Sequence, residues 1–75
     1  MKLGELFLAF LDLSPNTTVL LYDSLGAWED DDWFLKGCVD YAVQNFRSWR
    51  VVCFSCTMIP DGGVETIHVC LEVKT

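Results

Sequence analysis

The chain has 75 residues, a formal net charge of −6 and a hydrophobic content of 52%. This length suits one domain, residues 1–75, and the apolar content is typical of a folded globule and not of a disordered chain. Only five Lys and Arg stand against 11 Asp and Glu. That balance disfavours direct binding to nucleic-acid phosphates and favours a basic protein partner.

The sequence contains no apolar run long enough to cross a bilayer. The run Leu6 to Leu11 is too short for the apolar region of a signal peptide, and Asp12 follows it without a cleavage site of small residues. We therefore expect a cytoplasmic protein that makes no membrane contact.

The N-terminal third predicts a helix followed by a strand. Apolar residues recur at helical spacing, at Leu3, Leu6, Phe7, Phe10 and Leu13. Ser14-Pro15-Asn16 ends this pattern, so the helix is expected at about residues 2–12. The run Thr18–Tyr22 is β-prone and apolar on both parities from Val19, which is typical of an interior strand. Asp23–Gly26 is predicted to be a turn.

The middle of the chain predicts a short strand and a second helix. Trp33-Phe34-Leu35 is compatible with either element. Gly37 inside a helix would cost about 1 kcal/mol relative to Ala, so a strand at 32–36 is preferred. The helix is then expected at about 38–47, with a buried stripe formed by Cys38, Val39, Ala42, Val43 and Phe46.

The C-terminal third predicts an antiparallel hairpin, with strands at about 50–59 and 64–73. A two-residue turn at Asp61-Gly62 sets Phe54 opposite Val69 and Ser55 opposite His68. One face is then almost wholly apolar and the other is half polar. The expected fold is a small α+β sandwich of order α-β-(β)-α-β-β, with both helices packed on the apolar sheet face.

The four cysteines are Cys38, Cys53, Cys56 and Cys70. The C-x-x-C spacing of Cys53 and Cys56 suggests zinc or redox chemistry. In an extended strand, however, an offset of three places the two side chains on opposite faces. The register brings Cys53 beside Cys70, although a cytosolic pair stays reduced. We expect all four to be small buried hydrophobic residues, with no metal site and no cofactor.

A catalytic site can be drawn from the single histidine, His68, with Ser55 opposite it and an acid nearby. It would lie flat on a sheet without a pocket, so no catalytic residues are expected. Asp30-Asp31-Asp32 also lacks the spacing and the distal Glu of a calcium loop.

The most unusual segment places four carboxylates in a row between two tryptophans: Trp28, Glu29, Asp30, Asp31, Asp32 and Trp33. These six residues are called the acidic tract below. One interpretation is a solvated loop. The other is a partner-binding surface, in which the carboxylates face a basic groove and a tryptophan anchors the contact. Trp33, beside Phe34-Leu35, is expected to be more deeply buried than Trp28.

The chain resembles small proteins encoded by phages and prophages of Gram-positive bacteria. The resemblance lies in a Leu-rich helix that begins Met1-Lys2-Leu3, followed by Asn16-Thr17 and by Val19 to Tyr22-Asp23. In those proteins the same order of a helix, a strand, a helix and a closing hairpin is found. The four cysteines and the acidic tract depart from the usual pattern. The resemblance implies a phage accessory protein. Such proteins include anti-CRISPR proteins, which occupy the nucleic-acid channel of an effector.

The sequence thus predicts a non-enzymatic inhibitor that binds a basic host protein, such as a CRISPR effector nuclease, through the acidic tract. An alternative is a homodimer or larger scaffold, joined through the half-apolar sheet face around Val51, Cys53, Ile59 and Cys70. An enzyme or a zinc protein is a third hypothesis, which would depend on His68 or on bound metal.

Overall fold

A computed structural model describes residues 1–9, 16–60 and 63–72. The fold is α+β and the predicted order of elements is confirmed, with one additional short helix. The elements in chain order are α1 (Leu3–Ala9), β1 (Thr18–Tyr22), α2 (Leu25–Glu29), β2 (Leu35–Cys38), α3 (Val39–Phe46), β3 (Val51–Met58) and β4 (Val64–Leu71).

The four strands form one mixed sheet of order β2-β1-β4-β3. β1 runs parallel to β4 and antiparallel to β2, while β3 and β4 form the antiparallel hairpin. β1 is therefore an interior strand, as its apolar sequence predicts. Its parallel neighbour comes from the far end of the chain.

The core lies between one face of this sheet and the helices α1 and α3. Alternate residues of β1 and β4 point into it, and they meet apolar side chains from both helices. The fully enclosed members are Leu3, Leu6, Val19, Leu21, Ala42, Ile67, Val69 and Leu71. The two predicted helices are found as α1 and α3, and the prediction that both pack on one sheet face is confirmed.

The hairpin register is confirmed in its centre and shifted at both ends. Phe54 pairs with Val69 and Ser55 with His68, as predicted. Val51 pairs with Leu71 because an irregularity follows it, and Met58 pairs with Val64. Bulges of this kind are common in edge strands, where one residue is left out of the pairing. The backbone N–H of Ile59 donates to Gly63 O at 2.9 Å, and the predicted turn residues 61 and 62 lie outside the described residues.

Two local predictions in the middle of the chain are wrong. The strand expected at 32–36 is β2 at Leu35–Cys38, because residues 32–34 complete a turn after α2. The turn expected at Asp23–Gly26 instead opens α2, since Ser24 acts as the N-cap of that helix. Gly37 lies in the strand, as expected from the free-energy cost of placing glycine inside a helix. The predicted helices at 2–12 and 38–47 are found as α1 and α3, and residues 10–12 lie outside the described part.

The second sheet face carries α2 across one end. Strand residues of opposite parity to the core point to this side, including Tyr22, His68 and Cys70. Within the described ranges, every helix is too short or too polar to cross a membrane.

Candidate functional site

The acidic tract begins inside α2, whose two ends are both closed by hydrogen bonds. Ser24 is extended, and its Oγ accepts a hydrogen bond from the Ala27 backbone N–H at 3.1 Å. At the other end the N–H of Asp32 donates to Ala27 O at 2.8 Å, and the N–H of Asp31 donates to Trp28 O at 3.4 Å. This pair of bonds is a Schellman motif, which fixes where the helix stops.

Asp31 takes the left-handed position that this motif requires. Its φ is 55°, the only positive value for a residue other than glycine in the described chain. A side chain in that region costs about 1 kcal/mol, less for Asp and Asn than for most residues. The left-handed turn positions the Asp31 carboxylate so that it reaches Tyr22 on the second sheet face.

Tyr22 is the centre of a hydrogen-bonded network on that face. Its phenol is 2% exposed. Its hydroxyl lies 2.6 Å from Oδ1 of Asp31 and 3.0 Å from Nδ1 of His68. Trp28 packs edge-on against the Tyr22 ring, with centroids 5.2 Å apart, while the His68 ring stacks at 6.1 Å. Burial, together with the hydrogen bond and the negative charge of Asp31, raises the pKa of Tyr22 to about 12.

This geometry assigns the tautomer of His68. A phenol has one proton to donate, and a carboxylate can only accept. The Tyr22 proton therefore points to Asp31, and His68 Nδ1–H must donate to the Tyr22 oxygen. In the neutral imidazole Nε2 then carries a lone pair and remains available as an acceptor.

These residues line a shallow pocket of about 190 Å³ on the second sheet face. Its walls come from β1, α2 with its following turn, and the hairpin. The lining residues are Tyr22, Trp28, Asp31, Ser55, Thr57 and His68. The prediction that His68 lies on a flat sheet without a pocket is wrong, because α2 lies across the end of the sheet and adds a wall.

The structure separates the roles of the six acidic-tract residues. Trp28 is half-buried, and the other five residues are exposed. Trp28 and Asp31 line the pocket, whereas Glu29, Asp30 and Asp32 do not. The expectation that Trp33 is the more buried tryptophan is wrong, because it is 42% exposed. β2 begins only at Leu35.

Phe34 is 41% exposed, but part of its ring packs against two aromatic side chains. Its ring meets that of Phe46 at 5.6 Å and that of Trp49 at 6.4 Å. Its backbone N–H donates to Leu21 O at 2.8 Å. This anchoring leaves the preceding residue, Trp33, pointing outward at the end of the acidic tract.

Ser55, His68 and an acid do come together, but not as a nucleophilic triad. In such a triad the acid orients the histidine directly and the histidine bonds the serine. Here Tyr22 separates Asp31 from His68. Within the described chain, no side-chain hydrogen bond joins Ser55 to His68. The arrangement can accept hydrogen bonds from a bound group through Nε2 and the hydroxyls.

The four cysteines differ in environment more than the sequence predicts. Cys70 is buried, Cys53 and Cys56 are half-buried, and Cys38 is exposed. The expectation that all four are buried is wrong at Cys38, which ends the edge strand β2 and directly precedes α3. Cys53 and Cys56 do point to opposite faces, with Cys53 opposite Cys70 and Cys56 against the core.

Burial raises the pKa of the Cys56 thiol, and it is also the main cause that raises the pKa of Cys70 to about 11. Across residues 1–9, 16–60 and 63–72, no three His, Cys, Asp or Glu side chains are grouped as metal ligands.

Sequence reasoning missed Tyr22, Thr57 and His68 as parts of one site. The hairpin register already placed Ser55 and Thr57 on the same face as His68. The missing information was the parallel pairing of β1 with β4, which sets Leu20 opposite His68 and brings Tyr22 within reach. The Ser24 cap was a readable signal for the start of α2.

No family model, no curated protein and no solved structure is similar enough to this chain to count as a match.

Proposed function

We propose that this protein is a non-enzymatic inhibitor of phage type, which binds a basic, nucleic-acid-handling defence protein in the host cytoplasm. A CRISPR effector nuclease is the partner class that we favour. The contact surface is the part of the acidic tract that does not line the pocket, namely Glu29, Asp30, Asp32 and Trp33, all of which are exposed. The proposal rests on charge complementarity. The chain carries a net charge of −6, and the groove that it would face is built to hold phosphates.

The observation that supports it most is the rigid presentation of these acids. A helix capped at Ser24 and closed by the turn at Asp31 leads directly into the exposed residues. The hydrogen bond between Asp31 and Tyr22 anchors that turn to the sheet. A preorganised anionic surface loses less conformational entropy on binding than a flexible loop does.

Trp33 gives this surface an aromatic anchor. It is 42% exposed, and it lies next to Asp32 at the end of the acidic tract. Interface hot spots are enriched in tryptophan, while surrounding charges steer the encounter and set its salt dependence. Exposed carboxylates beside an indole therefore favour a protein partner with a basic, partly apolar groove.

The direct test is inhibition of DNA cleavage by purified, guide-loaded effector nucleases from Gram-positive bacteria. The test variant reverses three exposed charges, Glu29→Lys, Asp30→Lys and Asp32→Lys. Asp31 is left intact because it holds Tyr22. We expect the wild-type chain to prevent target-DNA binding, and the variant to lose at least about tenfold in inhibitory potency.

A matched control reverses three exposed acids elsewhere, Asp40→Lys, Glu65→Lys and Glu72→Lys. It changes the net charge equally but leaves the acidic tract alone, so it should inhibit like the wild type. Circular dichroism checks that both variants fold. Equal inhibition by both variants would show that the acidic tract is only a solvated segment. Failure to inhibit any effector would rule out the favoured partner class.

A second candidate function is self-association, now through the outer strand β3. The surface predicted for it is partly wrong, since Val51 packs against the core and Cys70 is fully buried. Large apolar side chains are nevertheless exposed along and just beyond β3, namely Val52, Phe54, Met58 and Ile59. Exposed apolar edge strands are templates for pairing with another chain. Light scattering over a concentration series tests this, and a constant monomer mass removes the candidate.

A further inference from the structure

We infer that the pocket lined by Tyr22, Trp28, Asp31, Ser55, Thr57 and His68 binds a guanidinium group, the side chain of an arginine supplied by the partner. The inference rests on the proposed function for the origin of that arginine. It concerns a different set of atoms from the exposed surface at Glu29, Asp30, Asp32 and Trp33, and it can be tested without the partner.

The first argument is the supply of hydrogen-bond acceptors. Oδ1 of Asp31 is used by Tyr22, while the second oxygen, Oδ2, meets no donor from the described residues. In the neutral imidazole, Nε2 of His68 carries a lone pair, because Nδ1 donates its proton to Tyr22. The hydroxyls of Ser55 and Thr57 complete the wall and can also accept. A ligand that fits this pocket is therefore rich in donors.

The second argument is charge. Asp31 contributes a carboxylate to the pocket wall, and Glu29, Asp30 and Asp32 are its close neighbours in the chain. A cation is attracted by all four, whereas an anion is repelled. The charge of this region therefore favours a cationic ligand.

The third argument is shape. Trp28 and Tyr22 provide aromatic walls, and Trp28 is only half-buried, so part of its indole is accessible. Guanidinium is planar, stacks on aromatic rings and carries five donors in a fixed fork. An ammonium group has three donors on one point and gains less from a planar aromatic wall. The geometry thus favours arginine over lysine.

The test is an NMR titration of the intact chain with N-acetyl-arginine amide. The matched probes are N-acetyl-citrulline amide, which keeps the planar shape but lacks the charge, and N-acetyl-lysine amide. We expect arginine to shift the resonances of Trp28, Asp31 and His68, and to bind at least about tenfold more tightly than citrulline. Lysine should bind more weakly than arginine.

Two variants separate the pocket from general attraction to an acidic protein. Asp31→Asn keeps an acceptor for Tyr22 but removes the charge, and should weaken arginine binding about tenfold. Asp40→Asn removes an exposed carboxylate outside the pocket and outside the acidic tract, and should leave binding unchanged. Asparagine tolerates the left-handed region and its amide oxygen can accept the Tyr22 proton, and circular dichroism checks that the variant is folded.

The possible results decide between the two proposals. No binding of arginine amide, or equal binding of arginine and citrulline, overturns the pocket assignment whatever the nuclease assays show. Equal binding of lysine overturns the assignment to a planar group. The triple reversal at Glu29, Asp30 and Asp32 should weaken arginine binding, since it reverses nearby charges, but arginine at saturation should still shift the resonances of Trp28 and His68. Arginine binding with those shifts supports the pocket even if no effector nuclease is inhibited.

Discussion

The hydroxyl of Tyr22 donates to Oδ1 of Asp31 across 2.6 Å, and this bond joins an interior strand to the centre of the acidic tract. Asp31 therefore plays a different part from its neighbours Asp30 and Asp32, although the three look identical in the sequence. All three are exposed to solvent, and Asp31 also holds the segment in place through Tyr22.

Tyr22→Phe should lower the free energy of unfolding by about 1–2 kcal/mol at neutral pH. The change removes one hydroxyl from a buried position and leaves Asp31 and His68 without their shared partner. Urea denaturation measures the loss. Tyr41→Phe is the control, because the Tyr41 ring is 49% exposed, and it should change stability by less than about 0.5 kcal/mol.

The ionisation of Tyr22 should appear near pH 12 in the ultraviolet absorbance of tyrosinate. Burial is the main cause that raises its pKa from 10.0 to about 12, and Asp31 adds to the effect. The unfolded chain releases this proton first. Stability from this group is thus complete below pH 10 and is lost as the pH rises through 12, by up to about 3 kcal/mol. In Tyr22→Phe the absorbance step near pH 12 should be absent, and its persistence there would contradict the assignment.

Substitutions at Asp31 should rank by backbone conformation as well as by hydrogen bonding. Asp31→Ala loses the Tyr22 bond and keeps a side chain at φ 55°, so it should be about 1 kcal/mol less stable than Asp31→Gly. Asp31→Asn should be the most stable of the three, since its amide oxygen accepts and asparagine tolerates this region.

Asp30 provides an internal control for that ranking, because its φ is −88°. At this position glycine gains nothing from its conformational freedom. Asp30→Gly should therefore be less stable than Asp30→Ala, the reverse of the order at Asp31. Thermal unfolding of the Gly and Ala variants at positions 30 and 31 measures both differences in stability. If Gly and Ala ranked in the same order at both positions, the left-handed turn at Asp31 would be ruled out.

The cysteines should react with iodoacetamide in the order of their exposure. Cys38 is exposed and should be alkylated first, whereas Cys70 is enclosed and its pKa is raised to about 11 by burial and by Cys53. Only the thiolate reacts. Mass spectrometry of the native protein at mildly alkaline pH measures the order, and urea should remove most of the difference. Equal rates at Cys38 and Cys70 in the native protein would contradict the buried position.

The hairpin was predictable because its register is fixed by its own residues. Pairing Phe54 with Val69 puts apolar side chains on one face, and a slip by one residue would mix the two faces. The helices α1 and α3 were predictable from the helical spacing of their apolar residues. The shifts at Val51 and Met58 were not, since a bulge in an edge strand leaves no periodic signal.

The candidate site was only partly predictable for two physical reasons. The five-residue helix α2 is too short for helical periodicity, and Gly26 lies within it, so only the Ser24 cap marks its start. The pairing of β1 with β4 joins distant segments, and neither strand alone encodes its neighbour. The acidic tract was singled out by composition. Its division into pocket and surface residues required the sheet.

The parallel pairing of β1 with β4 also limits the order in which the parts of the fold can form. Tyr22 and His68 are 46 residues apart in the chain, and contacts of such separation form slowly because a long loop must close first. A nascent chain can form its first helix and first strand early. The pocket cannot exist until residue 68 has been synthesised and the last strand has inserted beside the first. Recognition by this face would thus be restricted to fully folded molecules.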